Sequence, residues 1–491
     1  MNIGRCSGIL LHLTSLPGEF GIGDLGPESR NFVDFLFESG QKLWCVLPLG
    51  PTGEENSPYQ SRSAFAGNPL LLSPRLLVQE GYLSSKDLKP MPPFPTSHIA
   101  FRTVRRYKEA LFQNAFRNFS ETKQSRAFER KHAYWLDSYA LFMALHEANG
   151  GIPWTDFAPD RKPSPQRVRY HKFLQYEFFR QWQALREYCS TRGIAIMGDM
   201  PFYLEHNSAD VWSNPSLFDL RKDGTPRTVG GVPPDYFSAD GQLWGTPTYR
   251  WNRMQKDHYK WWTRRLKAAL DMVDLLRLDH FRGFEAFWSV SANQSTARKG
   301  RWVQGPGLHF FKAVRKQLGP LQIVAENLGT ITPGVEELRQ RCGFPGMAVL
   351  QFGFDEEGTH RPPHYVPHQV CFTGTHDNDT TVGWWRQLQH AAQNRGRKAD
   401  RDTVQRVKSY LQLDCQPIHW AFIQAIQSSI ANIAIVPMQD VLGFDSSARM
   451  NMPGRAKGNW RWRLEPHHLS ATLRQRLRQL TTVTGRFPTS T

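Results

Sequence analysis

Short apolar runs recur along the chain, most of them set between a glycine or proline and a polar or charged residue. Gly8–Leu13 and Leu43–Pro48 come first, and Ile194–Asp199, Leu275–Asp279, Ile323–Glu326, Met347–Phe352, Val370–Asp377 and Ile433–Asp440 follow. Between most of them the hydrophobic period lengthens to that of a helix with one apolar face. From Tyr170 to Arg192, Phe173, Tyr176, Trp182, Leu185 and Tyr188 mark such a face, and the spacing predicts further helices over Glu28–Ser39, Asp257–Met272, His309–Leu318 and Pro333–Arg341. Continuous apolar strands alternating with helices predict a parallel sheet buried on both faces. About eight such units predict an α/β fold of the closed (β/α)8 TIM-barrel type. An open doubly wound sheet is the alternative, disfavoured because no glycine-rich dinucleotide turn follows the first strand.

The units are unevenly spaced. Residues 50–169 separate the second strand from the third, far beyond an ordinary βα connection, and carry helical patterns of their own over Phe101–Phe119 and Ser125–Asn149. A second long connection, residues 203–253, is rich in Gly, Pro, Asp, Trp and Tyr, the composition of a binding loop. The expected organisation is therefore one catalytic barrel domain over 1–491, with 50–169 inserted as a partly helical subdomain and 203–253 as a substrate-loop subdomain around the C-terminal rim. At 491 residues the chain is long enough for a barrel with insertions. No internal repeat or low-complexity tract interrupts it, and residues 482–491 are expected to fray.

In a barrel, the loops at the C-terminal ends of the strands build the active site. Four acids finish apolar runs: Asp199, Asp279, Glu326 and Asp377. Each alone is as readily a helix cap or a structural partner. Together on one rim they point to chemistry. Arg277 and Asp279 stand two apart in a strand-like run, so their side chains share a side. A guanidinium beside a carboxylate keeps it ionised and oriented, as a nucleophile requires, and a structural ion pair closing the strand is the competing reading.

No histidine–carboxylate cluster has metal-ligand spacing and no phosphate loop is present, so the acids must support chemistry they can perform themselves. Glycoside cleavage is such chemistry, because it needs one carboxylate as nucleophile and one carboxylic acid as proton donor. Asp279 suits the first role. Glu326 follows Ile-Val-Ala without an adjacent cation, a setting in which desolvation and the charge of Asp279 raise its pKa for general-acid work. Asp377 lies in Thr373-Gly-Thr-His-Asp-Asn-Asp379, a cluster of donors and acceptors suited to sugar hydroxyls, or else a polar turn capping the next helix.

Charge and cysteine content narrow the class further. Lys and Arg number 61 against 44 Asp and Glu, giving a formal charge of +17. The basic residues are scattered through helix-like segments such as Arg102–Arg106 and Arg474–Arg478 and no nucleic-acid module accompanies them, so no nucleic-acid partner is expected. The six cysteines lie far apart without C-x-x-C or zinc-like spacing and are expected to be buried thiols in a reducing compartment. The apolar run at Ile9–Leu11 is too short for a signal sequence or a membrane span, so a soluble, cytoplasmic protein is expected.

The chain resembles the 4-α-glucanotransferases of the amylomaltase or disproportionating-enzyme type, glycoside hydrolase family seventy-seven, over nearly its whole length. The matching motifs include Ser57-Pro-Tyr-Gln-Ser61, Ser63-Ala-Phe-Ala-Gly-Asn-Pro69, Gly198-Asp-Met-Pro-Phe202, Ser208-Ala-Asp-Val-Trp212 and Pro233-Pro-Asp-Tyr-Phe-Ser238. Gly241-Gln-Leu-Trp-Gly245, Arg277-Leu-Asp-His-Phe-Arg-Gly283, Ala325-Glu-Asn-Leu-Gly329, Gly374-Thr-His-Asp-Asn-Asp379 and Arg449-Met-Asn-Met-Pro-Gly454 continue the series.

The resemblance implies Asp279 as nucleophile, Glu326 as acid/base and Asp377 as transition-state stabiliser, with no metal or other cofactor. It implies that Arg277 and His376 contact the donor sugar. It makes Tyr59, Asp199, Tyr236, Phe237, Trp244 and Asn451 further substrate-binding candidates, the aromatic rings facing flat sugar surfaces. The implied substrates are α-1,4-glucans, maltooligosaccharides and glucose. An α-amylase-like hydrolase and a non-catalytic glucan-binding protein are the alternatives. Three positions depart from the family pattern. Asn327 stands where aspartate is usual, an absence of charge expected to lower the pKa of Glu326 relative to other members. Thr246 and Arg455 replace an asparagine and a small polar residue near the presumed substrate loops, where they bear on chain-length preference.

Overall fold

The structure, a computed structural model, describes residues 4–234, 239–394, 397–413 and 416–487. In chain order its strands are β1 (Cys6–Leu10), β2 (Leu43–Cys45), β3 (Ala195–Met200), β4 (Thr228–Val232), β5 (Gln242–Pro247), β6 (Leu275–Leu278), β7 (Ala286–Ser291), β8 (Gly300–Gln304), β9 (Ile323–Ala325), β10 (Gly346–Val349), β11 (Gln369–Phe372) and β12 (Ile433–Pro437). Eight of them form one parallel sheet in the order β10-β11-β12-β1-β2-β3-β6-β9. Followed around, that order is chain order, as in a (β/α)8 barrel. The eight apolar runs of the sequence supply these strands. Most positions in them are buried, because core side chains fill the inside and helices cover the outside, and this is why they show runs rather than alternation.

The barrel is not laddered all the way round. Seven junctions carry parallel pairing, but between β9 and β10 the backbone bond is Ala325 N–H to the Pro345 carbonyl at 2.9 Å. This seam opens beside Glu326.

Helices Pro27–Glu38, Pro165–Thr191, Gly307–Leu318 and Pro333–Cys342 occupy the expected spans within a few residues. The helix expected from Asp257 begins later, at Lys260, because His258 and Tyr259 adopt left-handed conformations (φ 56° and 58°) that no helix can contain. Between β2 and β3 lie Pro74–Gln79, Phe101–Asn118 and Lys123–Ala148. The connection after β3 contributes β4 and β5, but these are only half of a second sheet, β5-β4-β7-β8, all antiparallel. The other half comes from the segment after β6.

Several arginines are spent inside the protein. Arg486 is fully buried and donates to the carbonyls of Cys6, Gln427 and Ala431 at 2.6–2.9 Å, fastening the C-terminal segment beneath β1 and β12. Arg463 likewise donates to the carbonyls of Pro95 and Gly18. Part of the positive excess thus binds backbone oxygens rather than an anionic partner. Cys6, Cys45, Cys189, Cys342 and Cys371 are free and buried, while Cys415 lies outside the described residues. Among the described residues no helix is long and apolar enough to cross a membrane.

Candidate active site

Register brings the first three acids together. Asp199 in β3 pairs with Arg277 in β6, and Arg277 pairs with Val324 in β9. One step beyond Leu278 and Ala325, the same register aligns Asp279 with Glu326. Backbone bonds continue the ladder there: Asp279 N–H to Met200 O at 3.1 Å, Glu326 N–H to Leu278 O at 3.1 Å and Phe281 N–H to Glu326 O at 3.2 Å. Neighbouring strands lie about 4.7–4.9 Å apart, close to the roughly 5–5.5 Å between the two carboxyls of a retaining glycosidase.

Arg277 is the electrostatic hub. Its Nη1 donates to both oxygens of Asp199, at 2.9 and 2.7 Å, and lies 2.9 Å from Asp279 Oδ1. Burial works against the charge of Arg277, but Asp199 and Asp279 hold its pKa well above the ordinary value. Asp199 is almost wholly buried, its side chain 3% exposed, and Tyr59 donates its hydroxyl to Asp199 Oδ2 at 2.7 Å. Asp199 therefore anchors Arg277 and Tyr59, whereas the Asp279 carboxylate, 27% exposed, faces the open rim.

Glu326 is oriented by two backbone donors. His280 N–H reaches Oε2 and Leu328 N–H reaches Oε1, each at 2.7 Å. His280 sits in the left-handed region (φ 48°, ψ 47°), a conformation that costs a non-glycine residue about 1–2 kcal/mol and turns the chain sharply after Asp279. Burial pushes the Glu326 carboxyl up to about 7. Arg277 opposes this, the charge of Asp279 adds to it, and the Leu328 and His280 donors favour ionisation. The influence of Arg277 on Glu326 crosses between strands and so was invisible to sequence adjacency.

Asp377 differs from the other acids. It stands in the loop after β11 rather than at the strand end, with its side chain 49% exposed. Asn451 Nδ2 donates to its Oδ1 at 2.6 Å, and His376 Nε2 lies 3.4 Å from the same oxygen. Asp440 clamps the loop from below, accepting from Thr373 Oγ1 at 2.6 Å and from the N–H and hydroxyl of Thr381 at 2.6 and 2.8 Å. Asp379 and Thr380 hold the turn. Asp379 accepts from Ser446 and Gln387, both at 2.6 Å, and Thr380 Oγ1 caps Gly383 N–H at 3.0 Å.

Aromatic rings line the same region. Tyr59 stacks on His376 with centroids 4.9 Å apart, and Trp460 lies 5.9 Å from both. Trp244 in β5 meets His280 edge to face at 4.9 Å. The loop carrying Tyr59 is held from afar. Ala64 N–H donates to buried Asp210 at 2.7 Å, and Gln175 exchanges two hydrogen bonds with Gly67 at 2.7 and 2.9 Å.

The structure thus gathers Tyr59, Asp199, Trp244, Arg277, Asp279, Glu326, His376, Asp377 and Asn451. Tyr236 and Phe237 lie outside the described residues. Sequence reasoning missed the His280 N–H, Trp460 and Arg449, which donates to the Asp377 carbonyl at 2.6 Å. His280 and Arg449 both fell within quoted motifs that could have flagged them, whereas Trp460 did not. Thr246 is buried in β5, and Arg455 is exposed. The Tyr59 hydroxyl offers a direct check. Tyr59→Phe leaves a buried carboxylate oxygen without its neutral donor and should destabilise the protein by about 2 kcal/mol in urea unfolding.

An arginine-held carboxylate next to a carboxyl with a raised pKa, on adjoining strands at the C-terminal rim of a parallel barrel, is the arrangement of retaining glycoside-processing enzymes. The sequence model of the 4-alpha-glucanotransferase family, glycoside hydrolase family 77, matches residues 11–470, and the chain belongs to that family. A 4-alpha-glucanotransferase of Thermus thermophilus is 44% identical over 99% of this chain and 100% of its own length. A chloroplastic or amyloplastic 4-alpha-glucanotransferase of Solanum tuberosum is 41% identical over 94% of this chain and 83% of its own. An amylomaltase of Streptococcus agalactiae, solved in complex with acarbose, superposes with a TM-score of 0.93 at 34% identity, covering 99% of this chain and 100% of that one.

Proposed function

We propose that Asp279, Glu326 and Asp377 carry out the 4-alpha-glucanotransferase reaction of this chain. The enzyme moves α-1,4-glucan segments from a donor maltodextrin to the 4-hydroxyl of an acceptor glucan or glucose. The activity follows from membership of the family and from full-length relatives that share the name. The residue roles rest on one observation above all, the side-by-side register of Asp279 and Glu326.

In the first step Asp279 attacks the anomeric carbon while Glu326 gives its proton to the leaving glycosidic oxygen, leaving a covalent glucosyl–enzyme. Glu326, now ionised, removes the proton from the acceptor 4-hydroxyl as that oxygen displaces Asp279, and the configuration is retained. Asp377 and His376 hold sugar hydroxyls whose bonds strengthen as the ring flattens. Arg277 orients Asp279, with Asp199 and Tyr59 behind it, and Asn451 orients Asp377. Trp244, Tyr236 and Phe237 supply ring faces to the glucan and exclude water so that a sugar rather than water is the acceptor. The buried free cysteines favour a reducing, cytoplasmic setting.

Incubation with maltotriose tests the reading. Transfer gives glucose and a ladder of longer and shorter maltodextrins. Products all shorter than the substrate would indicate hydrolysis, and an unchanged substrate would indicate binding alone. Because Glu326 must carry a proton to start the reaction, kcat/KM should fall above its value of about 7, approaching tenfold per pH unit on the alkaline side. A profile without an alkaline limb near neutrality would remove Glu326 from the acid role.

A further inference from the structure

We infer that Trp460 is the positioning residue for His376, its indole and the Tyr59 ring together fixing the plane of the imidazole. The role presupposes the reading of His376 as a contact to the donor sugar and adds what holds that ring in place.

The backbone of Trp460 is strained to put the indole there. Its φ is 63°, in the left-handed region, and it is the bulkiest of the described non-glycine residues found there. A large side chain in that region is costly and persists only where the surroundings enforce it. Trp460 N–H donates to the Met450 carbonyl at 2.7 Å, closing the neck of the loop 451–459. Inside the loop, Asn459 Oδ1 accepts Met452 N–H at 3.0 Å and Asn459 Nδ2 donates to the Arg455 carbonyl at 2.7 Å. Directly past Trp460 the chain is pinned again, where Ile99 N–H donates to the Arg461 carbonyl at 2.8 Å. Glycine would make this turn at least cost. The chain carries a buried indole instead.

That indole meets both rings of the donor site. Its centroid lies 5.9 Å from those of His376 and Tyr59, tilted by 37° and 43°, while Tyr59 and His376 stack at 4.9 Å and 20°. The same loop also grips the backbone of His376, because Asn451 N–H donates to the His376 carbonyl at 3.1 Å. The polar contacts of the imidazole are long by comparison. Nδ1 lies 3.4 Å from the Tyr59 hydroxyl and Nε2 lies 3.4 Å from Asp377 Oδ1, beyond the range of well-made bonds. The Tyr59 hydroxyl is committed to Asp199 at 2.7 Å. Ring packing therefore sets the plane of the imidazole, and a small rotation would carry Nε2 away from Asp377 and from the sugar that both hold.

Variants of the full chain test this, with maltotriose kinetics and thermal melts measured on each. Trp460→Leu, which keeps an apolar side chain on the same backbone, should lower kcat about ten- to hundredfold with KM within about threefold, because a misaimed contact to a sugar hydroxyl tells most in the transition state. Trp460→Phe, which keeps a ring against the pair, should stay within about fivefold of the parent. In a His376→Ala background, Trp460→Leu should lower kcat by less than about threefold further, since no imidazole is left to aim. Asn459→Ala, which loosens the loop without removing a ring, should lower kcat about three- to tenfold in the parent and little in the His376→Ala background, and it carries the test if Trp460→Leu does not fold. A folded Trp460→Leu enzyme, or Asn459→Ala in its stead, with kcat within about twofold of the parent overturns the inference, as does a loss that keeps its full size in the His376→Ala background. Failure of the donor-site reading has a different signature, namely His376→Ala itself retaining the parent kcat, and the positioning role would fall with it.

Discussion

Asp279→Asn should reduce kcat for maltotriose disproportionation by at least about 10⁴-fold, the scale on which removing the nucleophile of a covalent mechanism acts. The amide cannot form the glycosyl ester, so the loss falls on chemistry rather than on the fold. Arg277 keeps both of its bonds to Asp199 in the variant, and the replaced side chain is partly exposed, so the melting temperature should change little. The parent incubated with an activated donor such as α-glucosyl fluoride and no sugar acceptor should carry an added glucosyl unit by mass spectrometry after rapid quenching, and the variant should not. A folded variant that still disproportionates maltotriose near the parent rate would return the Arg277–Asp279 pair to a purely structural role.

The barrel was legible because its strands are buried on both faces. That burial demands continuous apolar runs such as Ile433–Val436, and such runs need no knowledge of the partner strand. The second sheet was not legible. Gly300-Arg-Trp-Val-Gln304 is mostly exposed and has no apolar run to announce it, and the four strands of its sheet come from both sides of β6 in the chain. Asp199, Asp279 and Glu326 could be found because each finishes or nearly finishes a strand. The roles of Asp279 and Glu326 could be read as well, but the place of Asp199 as the anchor of Arg277 and Tyr59 could not, since its bond from Tyr59 spans 140 positions. Asp377 was found by its polar cluster even though it stands off the strand end.

Glu326→Gln should lower kcat for maltotriose about 10²–10⁴-fold, the usual range for lost general acid–base catalysis, and the loss should depend on the leaving group. With a maltooligosaccharide the departing oxygen is a poor leaving group and needs the proton. With α-glucosyl fluoride it does not, so glucosylation of Asp279 should proceed near the parent rate while transfer to a sugar acceptor stalls. The glutamine oxygen can accept only one of the two backbone N–H groups that hold Glu326, and the amide cannot take a proton from the incoming 4-hydroxyl. An anion that needs no base, such as azide, should then release the glucosyl group, and the product should be the α-azide, because two displacements preserve configuration. The alkaline limb that the parent owes to a carboxyl raised to about 7 should vanish in the same variant. A β-azide would mean direct displacement without Asp279. Equal losses with maltotriose and with the fluoride would mean that Glu326 organises the site without transferring a proton, and the acid/base would have to be sought among the other carboxyls of the rim.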